Sequence, residues 1–395
     1  MTVLTDTTQA APGDQVQTGQ VHTELASLAI QNFRNYDNYR IDISAPKVLL
    51  LGANGAGKTN LMEAISLLAP GRGLRRAKSE HLPRLSAGTP DWAVSAKVTS
   101  RGETVTLGTG VRADMDGPRR VMRRDGETVS QSEIGRMFSV SWLTPRMDGI
   151  FLDSPGARRR FLDRLVIAFD PAHIGRTSRY EKMLRERTTL LAEGRGDPAW
   201  LAAIEASLAE SAIAVTAARQ ALISDLNAEA ANGWFGFPGV ALQLDGRVEG
   251  WLADSTALDA EDRFIAEART RREAGDAGLD GPHASDMSAS NSQTGAAANL
   301  ASTGQQKALL IAVVLAHARL QARRLKRPPV LLLDDVVAHL DMSRRGALFD
   351  AVDAVGGQTW FSGTDEDDFT GLEAQPVRLH AEDGVARIIS PEDDQ

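Results

Sequence analysis

Lys47-Val-Leu-Leu-Leu-Gly52-Ala-Asn-Gly-Ala-Gly-Lys58-Thr59-Asn60 is the stretch whose reading decides the fold. Gly52 to Thr59 matches the phosphate-loop pattern G-x-x-x-x-G-K-[ST]. The residues before it form an apolar run closed by glycine, which reads as a buried strand. Leu61, Ile65 and Leu68 follow on one helical face. A strand, a glycine turn and a helix are the context in which this pattern carries chemistry. Gly52, Gly55 and Gly57 allow the backbone to turn with its N–H groups inward. Asn54, Gly55, Ala56, Gly57, Lys58, Thr59 and Asn60 then surround a phosphate group at a helix N-terminus. Lys58 is placed to reach the β- and γ-phosphates and serve catalysis, and Thr59 to hold Mg²⁺. The expected ligand is therefore a nucleoside triphosphate with its metal.

Working outward, Pro329-Val-Leu-Leu-Leu-Asp334-Asp335 is a second apolar strand, of the kind found in a parallel sheet covered on both faces. Asp334 at its carboxyl end is placed to hold Mg²⁺, directly or through water. Asp335 is placed to orient or deprotonate the attacking water. Two adjacent carboxylates repel one another and imply a nearby cation. About thirty residues earlier stands Ser302-Thr-Gly304-Gln305, a capping box at the head of an apolar helical run. Such a helix start offers free N–H groups to an anion. One nucleotide does not need two cradles in one chain, so this second site is expected to close over a triphosphate held by another subunit. Alone, the tetrapeptide is equally an ordinary capped helix.

The order of these elements resembles the ABC-type ATPase heads of the structural-maintenance and Rad50 class, and within it the RecF family of recombinational-repair ATPases. The resemblance runs over most of the chain. It includes Asn32-Phe-Arg-Asn-Tyr36, Glu63 through Arg75, and Pro155-Gly-Ala-Arg158-Arg159-Arg160-Phe161-Leu162-Asp163. It continues through Gly281-Pro-His283, the Ser302 signature, and Asp334 to Asp341. It implies an α/β fold: an ABC-type P-loop head with a mixed β-sheet lobe and a helical second lobe. It implies slow, DNA-stimulated hydrolysis of ATP with Mg²⁺, and an ATP-dependent head-to-tail homodimer on single-stranded or gapped double-stranded DNA. It further implies RecR and RecO partners, RecA loading, and a place in replication restart and the damage response. The chain departs from the family pattern at Ala284, where Arg is usual, and at Thr188, where Asn is usual after Arg187. No glutamine loop is evident, and Ser362-Gly363-Thr364 stands where a switch histidine is expected.

Other classes are weighed against this one. A DNA-binding scaffold using ATP as a clamp with negligible turnover shares every motif. A membrane-transporter ATPase subunit fits the long insertion poorly. With 42% apolar residues a proper core is expected; without cysteine there is no disulfide, thiolate zinc site or cysteine nucleophile. No apolar stretch is expected to reach membrane-spanning length, the best run being Leu309 to Ala316. The polar start of the chain lacks the basic flank and apolar core of a signal peptide, so a cytoplasmic protein without membrane contact is expected. The net charge of −8 does not advertise DNA binding. Positive charge is local: Arg72, Arg75, Arg76 and Lys78; Arg119, Arg120, Arg123 and Arg124; Arg158 to Arg160; Arg319, Arg323, Arg324, Lys326 and Arg327.

The pattern divides the chain into a disordered tail (1–23), a phosphate-loop lobe (24–150), a helical lobe with the signature (151–324) and a return to the first lobe (325–395). The first lobe is expected to be strands with one helix. Trp92 to Val98 and Thr104 to Val111 alternate as half-exposed strands do. Tyr180 to Leu190 and Leu201 to Leu226 keep helical spacing on either side of Gly194-Arg-Gly-Asp-Pro198, giving an antiparallel helical pair. Lys58 and Asp334 stand 276 positions apart, which leaves room for a helical stub but not a long coiled-coil arm. Ala274 to Ala301, rich in Ala, Ser, Gly and Asn, reads as a loose loop.

Overall fold

A computed structural model describes residues 23–100, 102–111, 120–382 and 385–389. The stretch expected to be a tail lies outside the described residues, apart from Thr23, which opens the first strand. Two six-stranded sheets organise the chain. The antiparallel one contains β1 (Thr23–Phe33), β2 (Tyr36–Asp42), β4 (Trp92–Ser100), β5 (Glu103–Val111), β6 (Val121–Arg124) and β7 (Glu127–Val129). Its order is β2-β1-β4-β5-β6-β7. Buried residues alternate along β4, where Trp92, Val94, Ala96 and Val98 point inward. The period of two gives one core face and one outer face.

The second sheet contains β3 (Lys47–Leu51), β8 (Val140–Leu143), β11 (Val330–Leu333), β12 (Thr359–Gly363), β13 (Gln375–Glu382) and β14 (Val385–Ile389). Its order is β14-β13-β3-β12-β11-β8, parallel except for the antiparallel edge strand β14. Its strands are apolar on both faces because each face meets a different core. Leu49, Leu51, Leu331, Leu333 and Phe361 join a cluster with helix residues such as Leu309, Val313, Leu348 and Phe349. Val48, Leu50, Val330, Leu332 and Trp360 join another with Leu61, Ile65 and the inner face of the antiparallel sheet. A slip of one residue would exchange the two sets, so the register is doubly fixed.

The helices are α1 (Lys58–Leu67), α2 (Gln131–Gly135), α3 (Pro155–Phe169), α4 (His173–Ala192), α5 (Pro198–Ala230), α6 (Arg247–Asp254), α7 (Ala257–Glu273), α8 (Thr303–Leu325) and α9 (Met342–Val355). α4 and α5 pack against each other, with α7 beside α5. Tyr180, Ile204, Leu208, Phe264 and Ala268 form a third cluster there.

Several expectations need correction. The first-lobe segment holds a second short helix, α2, announced by the capping box Ser130 and Glu133. α6 and α7 were not read from the sequence, although Thr256 and Asp259 cap α7 in the same way. The supposed loose loop contains β10 (Asp286–Asn291), antiparallel to β9 (Val240–Asp245). Met287 and Ala289 are its buried positions, and the small residues around them hide the alternation in composition. α5 is long and apolar enough to cross a membrane by length and composition alone, contrary to the expectation that no stretch would be. More than half of that window is buried inside the fold, which makes it a core helix.

The helical cluster also encloses a charge network. Arg187 and Glu205 are both buried; Arg187 Nε donates to Glu205 Oε1 at 3.0 Å. Its other nitrogens donate to the carbonyl oxygens of Ala277 (3.0 Å) and Ala268 (2.9 Å), joining α4 to α7 and the segment after it. Arg272 approaches the same carboxylate at 3.3 Å. Removing one partner of a buried pair strands the other, at a cost of about 3–5 kcal/mol. Arg187→Leu is therefore expected to lower the unfolding free energy by about that much. Urea unfolding followed by circular dichroism checks this; a shift below about 1 kcal/mol would show that Arg272 alone satisfies Glu205.

Candidate phosphate-loop site

β3 delivers the chain to Gly52, and α1 starts at Lys58 behind Gly57, whose φ of 108° suits glycine. A Cβ on Gly52 would lie 2.3 Å from the carbonyl oxygen of Leu379 in β13, so the loop and β13 meet backbone to backbone. Ala56 N donates to Ala53 O at 3.1 Å and closes the turn. Asn54 and Gly55 are exposed, Ala56 and Gly57 are buried, and Thr59 and Asn60 are half-buried. The Lys58 ammonium curls back over the loop, donating to Gly52 O at 2.6 Å and Ala53 O at 3.1 Å. Burial lowers its pKa, against the pull of Asp335 and Asp334.

β11 and β3 are separated in the sheet by β12, and all three run parallel. Their carboxyl ends therefore meet at one edge, the usual ligand edge of such sheets. Thr59 Oγ1 lies 3.1 and 3.0 Å from Asp334 Oδ1 and Oδ2, donating to this carboxylate across 275 positions of sequence. Ser362 at the end of β12 donates to Asp334 Oδ1 at 2.8 Å and accepts from Asp335 N at 3.0 Å. Asp335 itself has φ 49°, a conformation that few non-glycine residues adopt. Burial raises the Asp334 pKa, with the Ser362 and Thr59 hydroxyls opposing the rise. The buried carboxylate is hydrogen-bonded by hydroxyls and stands beside a second acid, and Arg75 and Lys58 act on it through space without an ion pair among the described residues. The hard oxygen donors Thr59 and Asp334 would suit Mg²⁺. Among the described residues no cluster of three or more His, Cys, Asp and Glu forms a self-sufficient metal cage.

The Asn32 to Tyr36 motif lies against the back of the loop. Tyr36 Oη donates to Gly57 O at 3.1 Å. Asn60 Nδ2 donates to Asn35 Oδ1 at 2.7 Å. Arg34 grips the buried Glu63 of α1 with two 2.8 Å bonds, and Arg75 reaches both Glu63 and Asn60. Glu63 opens the family-like stretch to Arg75, but its burial and its pairing with Arg34 and Arg75 come only from the fold.

Ser302, Gly304 and Gln305 are exposed at the start of α8. Gln305 N donates to Ser302 Oγ at 3.4 Å, and Ser302 N donates to Gln305 Oε1 at 3.0 Å. The geometry thus brings Lys58, Thr59, Asp334 and Asp335 together. Among the described residues no hydrogen bond or ion pair joins Ser302, Gly304 or Gln305 to that group. The basic clusters also separate. Arg75, Arg124, Arg158, Arg319, Arg323 and Arg324 all have carboxylate partners. Arg119 lies outside the described residues.

Residues 24–361 match the family model of the RecF/RecN/SMC N-terminal domain. A relative from Rhizobium rhizogenes, described as DNA replication and repair protein RecF, is 43% identical over 88% of this chain and 94% of its own. One of the same description from Rhizobium meliloti is 42% identical over 91% and 97%. A solved structure of the recombination mediator protein RecF with an ATP analogue superposes with TM-score 0.79 at 22% identity, over 94% of this chain and 99% of that one. An SMC head bound to the winged-helix domain of ScpA superposes at 0.52 with 15% identity, over 94% and 99%. The fold is that of an ABC-type ATPase head. The chain belongs to the RecF family within the RecF/RecN/SMC group.

The raised pKa of Asp334 has a measurable consequence. Burial disfavours its charged form, so ionised Asp334 lowers the stability of the nucleotide-free protein at neutral pH. That loss disappears as pH falls through the raised folded value toward about 3.9, the unfolded value. Asp334→Asn, without Mg²⁺, is expected to raise the urea midpoint at pH 8, with the gain shrinking as pH is lowered. An Asn variant less stable than wild type at pH 8 would show that the carboxylate is already compensated.

Proposed function

We propose that this chain is an ATP-binding and ATP-hydrolysing protein of DNA replication and recombinational repair. The observation that carries the reading is the Thr59 hydroxyl against the Asp334 carboxylate, with Lys58 lying over the same loop. Asn54 to Asn60 would wrap the phosphates with backbone N–H groups, and Lys58 would leave the carbonyls of Gly52 and Ala53 to meet the β- and γ-phosphates. Thr59 and Asp334 would hold Mg²⁺, which neutralises charge on the transferred phosphoryl group. Asp335 would take the proton of the attacking water, its backbone held in the left-handed region with its N–H donating to Ser362 Oγ. The family context supports action on single-stranded and gapped double-stranded DNA in the cytoplasm, with RecR and RecO partners and RecA as the protein loaded.

The exposed cap of α8 supports a homodimer closed by ATP. Each Ser302, Gly304 and Gln305 group would cover the triphosphate held by the other copy, and hydrolysis would reopen the pair. The competing reading, a clamp with negligible turnover, draws on Ser362, a residue without a charge at the switch position. Multiple-turnover hydrolysis measured beside ATP-dependent DNA retention separates the two.

Lys58→Ala is expected to abolish binding of labelled ATP, because the cradle loses its mobile cation. Asp335→Asn is expected to retain binding and slow single-turnover hydrolysis by about 10²-fold or more, as loss of a general base does. ATP affinity unchanged in the first variant removes the site; unchanged hydrolysis in the second removes Asp335 from the catalytic list.

Ser302→Arg tests the dimer. The variant should bind ATP as a monomer nearly as well as wild type, yet fail to dimerise in size analysis and hydrolyse little. Mixed with Lys58→Ala, it should partly recover hydrolysis, since one composite site then pairs an intact loop with an intact signature. Normal ATP-driven dimerisation of Ser302→Arg, or no recovery on mixing two folded chains, would leave the signature as only a capped helix.

A further inference from the structure

α3 carries Arg158, Arg159, Arg160 and Arg164, and the fold uses them unequally. Arg158 is held by Asp286 through two 2.7 Å bonds, and Arg159 donates to Ser285 O at 2.6 Å. Arg160 and Arg164, one turn apart, instead line a groove of about 800 Å³ between α3 and the loop after α1. Neither has a carboxylate partner among the described residues. The Arg164 guanidinium lies over the rings of Trp142 (4.4 Å) and Phe161 (5.1 Å). Its polar contacts are weak: Trp142 O at 3.5 Å and Met147 Sδ at 3.6 Å.

The loop after α1 adds Arg72 and Arg76 to the same groove, again without ion pairs among the described residues. Arg120 fixes that loop by donating to the carbonyl oxygens of Gly71 (2.6 Å) and Leu67. Arg76 adopts φ 57°, a conformation that side chains rarely take. Burial and the charges of Arg160 and Arg72 lower its pKa, while Asp163 and Glu181 oppose this. Burial, with a smaller push from Arg76, lowers the Arg164 pKa to about 9. The acids nearby are already occupied. Asp163 accepts from Arg219 at 2.8 and 3.0 Å and meets His173 at 2.8 Å. Glu181 stands 3.9 Å from Arg185, and Glu80 faces Lys78 and His81.

Like charges one helical turn apart destabilise a helix. Four arginines around one concavity, none in an ion pair among the described residues, suit a site to which a counter-charge is delivered. Their clustering favours a compact, multiply charged group over an extended backbone, and guanidinium forks suit phosphate oxygens. The volume is that of a small-molecule pocket. The groove is lined by Leu67 and the residues after it, at the opposite end of α1 from Lys58, about 15 Å along the helix.

We propose that this groove is a second anion site, taking a terminal phosphate or pyrophosphate group of a nucleotide or of a DNA strand end through Arg72, Arg76, Arg160 and Arg164. The site is separate from the phosphate loop and does not rest on its assignment.

The probe is radiolabelled inorganic pyrophosphate in equilibrium dialysis against the full chain, with the phosphate loop filled by a non-hydrolysable ATP analogue. One additional equivalent should bind. Affinity should fall at least tenfold in Arg160→Ala and in Arg76→Ala, both exposed positions, and stay unchanged in Arg123→Ala, an exposed arginine on β6 outside the groove. Thermal unfolding confirms that each variant is folded. Competition then separates the sources. Displacement by a 5′-phosphorylated oligonucleotide but not its 5′-hydroxyl counterpart assigns a strand end. Displacement by a nucleoside triphosphate and by neither strand assigns a free nucleotide. The proposal is overturned if no additional pyrophosphate binds, if Arg160→Ala and Arg76→Ala bind it as wild type does, or if none of the three competitors displaces it.

Discussion

The alternation of the parallel strands between two cores is the constraint on which the site depends. Val48 and Leu50 face the antiparallel sheet while Leu49 and Leu51 face α8 and α9, and β11 repeats the division with Val330, Leu331, Leu332 and Leu333. Each strand can occupy only one register without placing the wrong side chains in the wrong core. That register sets where β3 and β11 end. Gly52 and Asp334 reach one edge because the apolar residues before them are locked, and the polar edge inherits its precision from apolar packing.

At that edge the electrostatics are unfinished. Asp334 is buried and held by hydroxyls, Asp335 is beside it, and Lys58 is turned toward carbonyl oxygens. The arrangement becomes intelligible when a cation and a polyphosphate supply the missing charges. The desolvation that weakens the carboxylate in isolation then strengthens its hold on the metal. The same reasoning separates two sets of arginines: those held by Glu63, Asp286 and Glu229 build the fold, whereas the groove arginines have no ion pair among the described residues.

The strand–loop–helix setting of Gly52 to Thr59 and the strand ending in Asp334 were legible because their patterns are local. Gly52 to Thr59 must lie between a strand and a helix, and Leu331 to Asp335 must end a buried strand. What joins them is nonlocal: Thr59 to Asp334 depends on β12 lying between β3 and β11, which no spacing announces. Ser362 was placed at the switch position by resemblance, but its two bonds to the acidic pair come from the end of β12. β10 was missed because alanine and serine leave little contrast between its faces. α6 and α7 were missed although Thr256 and Asp259 form a readable cap. The pairing of Glu63 was not legible because its partners, Arg34 and Arg75, lie on two separate segments.

The close backbone approach of Gly52 to Leu379 also bears on how the molecule is made. β3 leaves the ribosome early, yet its two sheet neighbours, β12 and β13, follow about three hundred positions later. At roughly 5–20 residues per second, that strand waits about 15–60 seconds for its hydrogen-bonding partners. During that interval its apolar residues can pack against α1 and the antiparallel sheet on one face, and against α3 and α8 on the other, but its two edges have no strand partner. Completion of the phosphate loop is thus a late event in synthesis, and the nascent first lobe has an open strand edge that invites chaperone binding or mispairing.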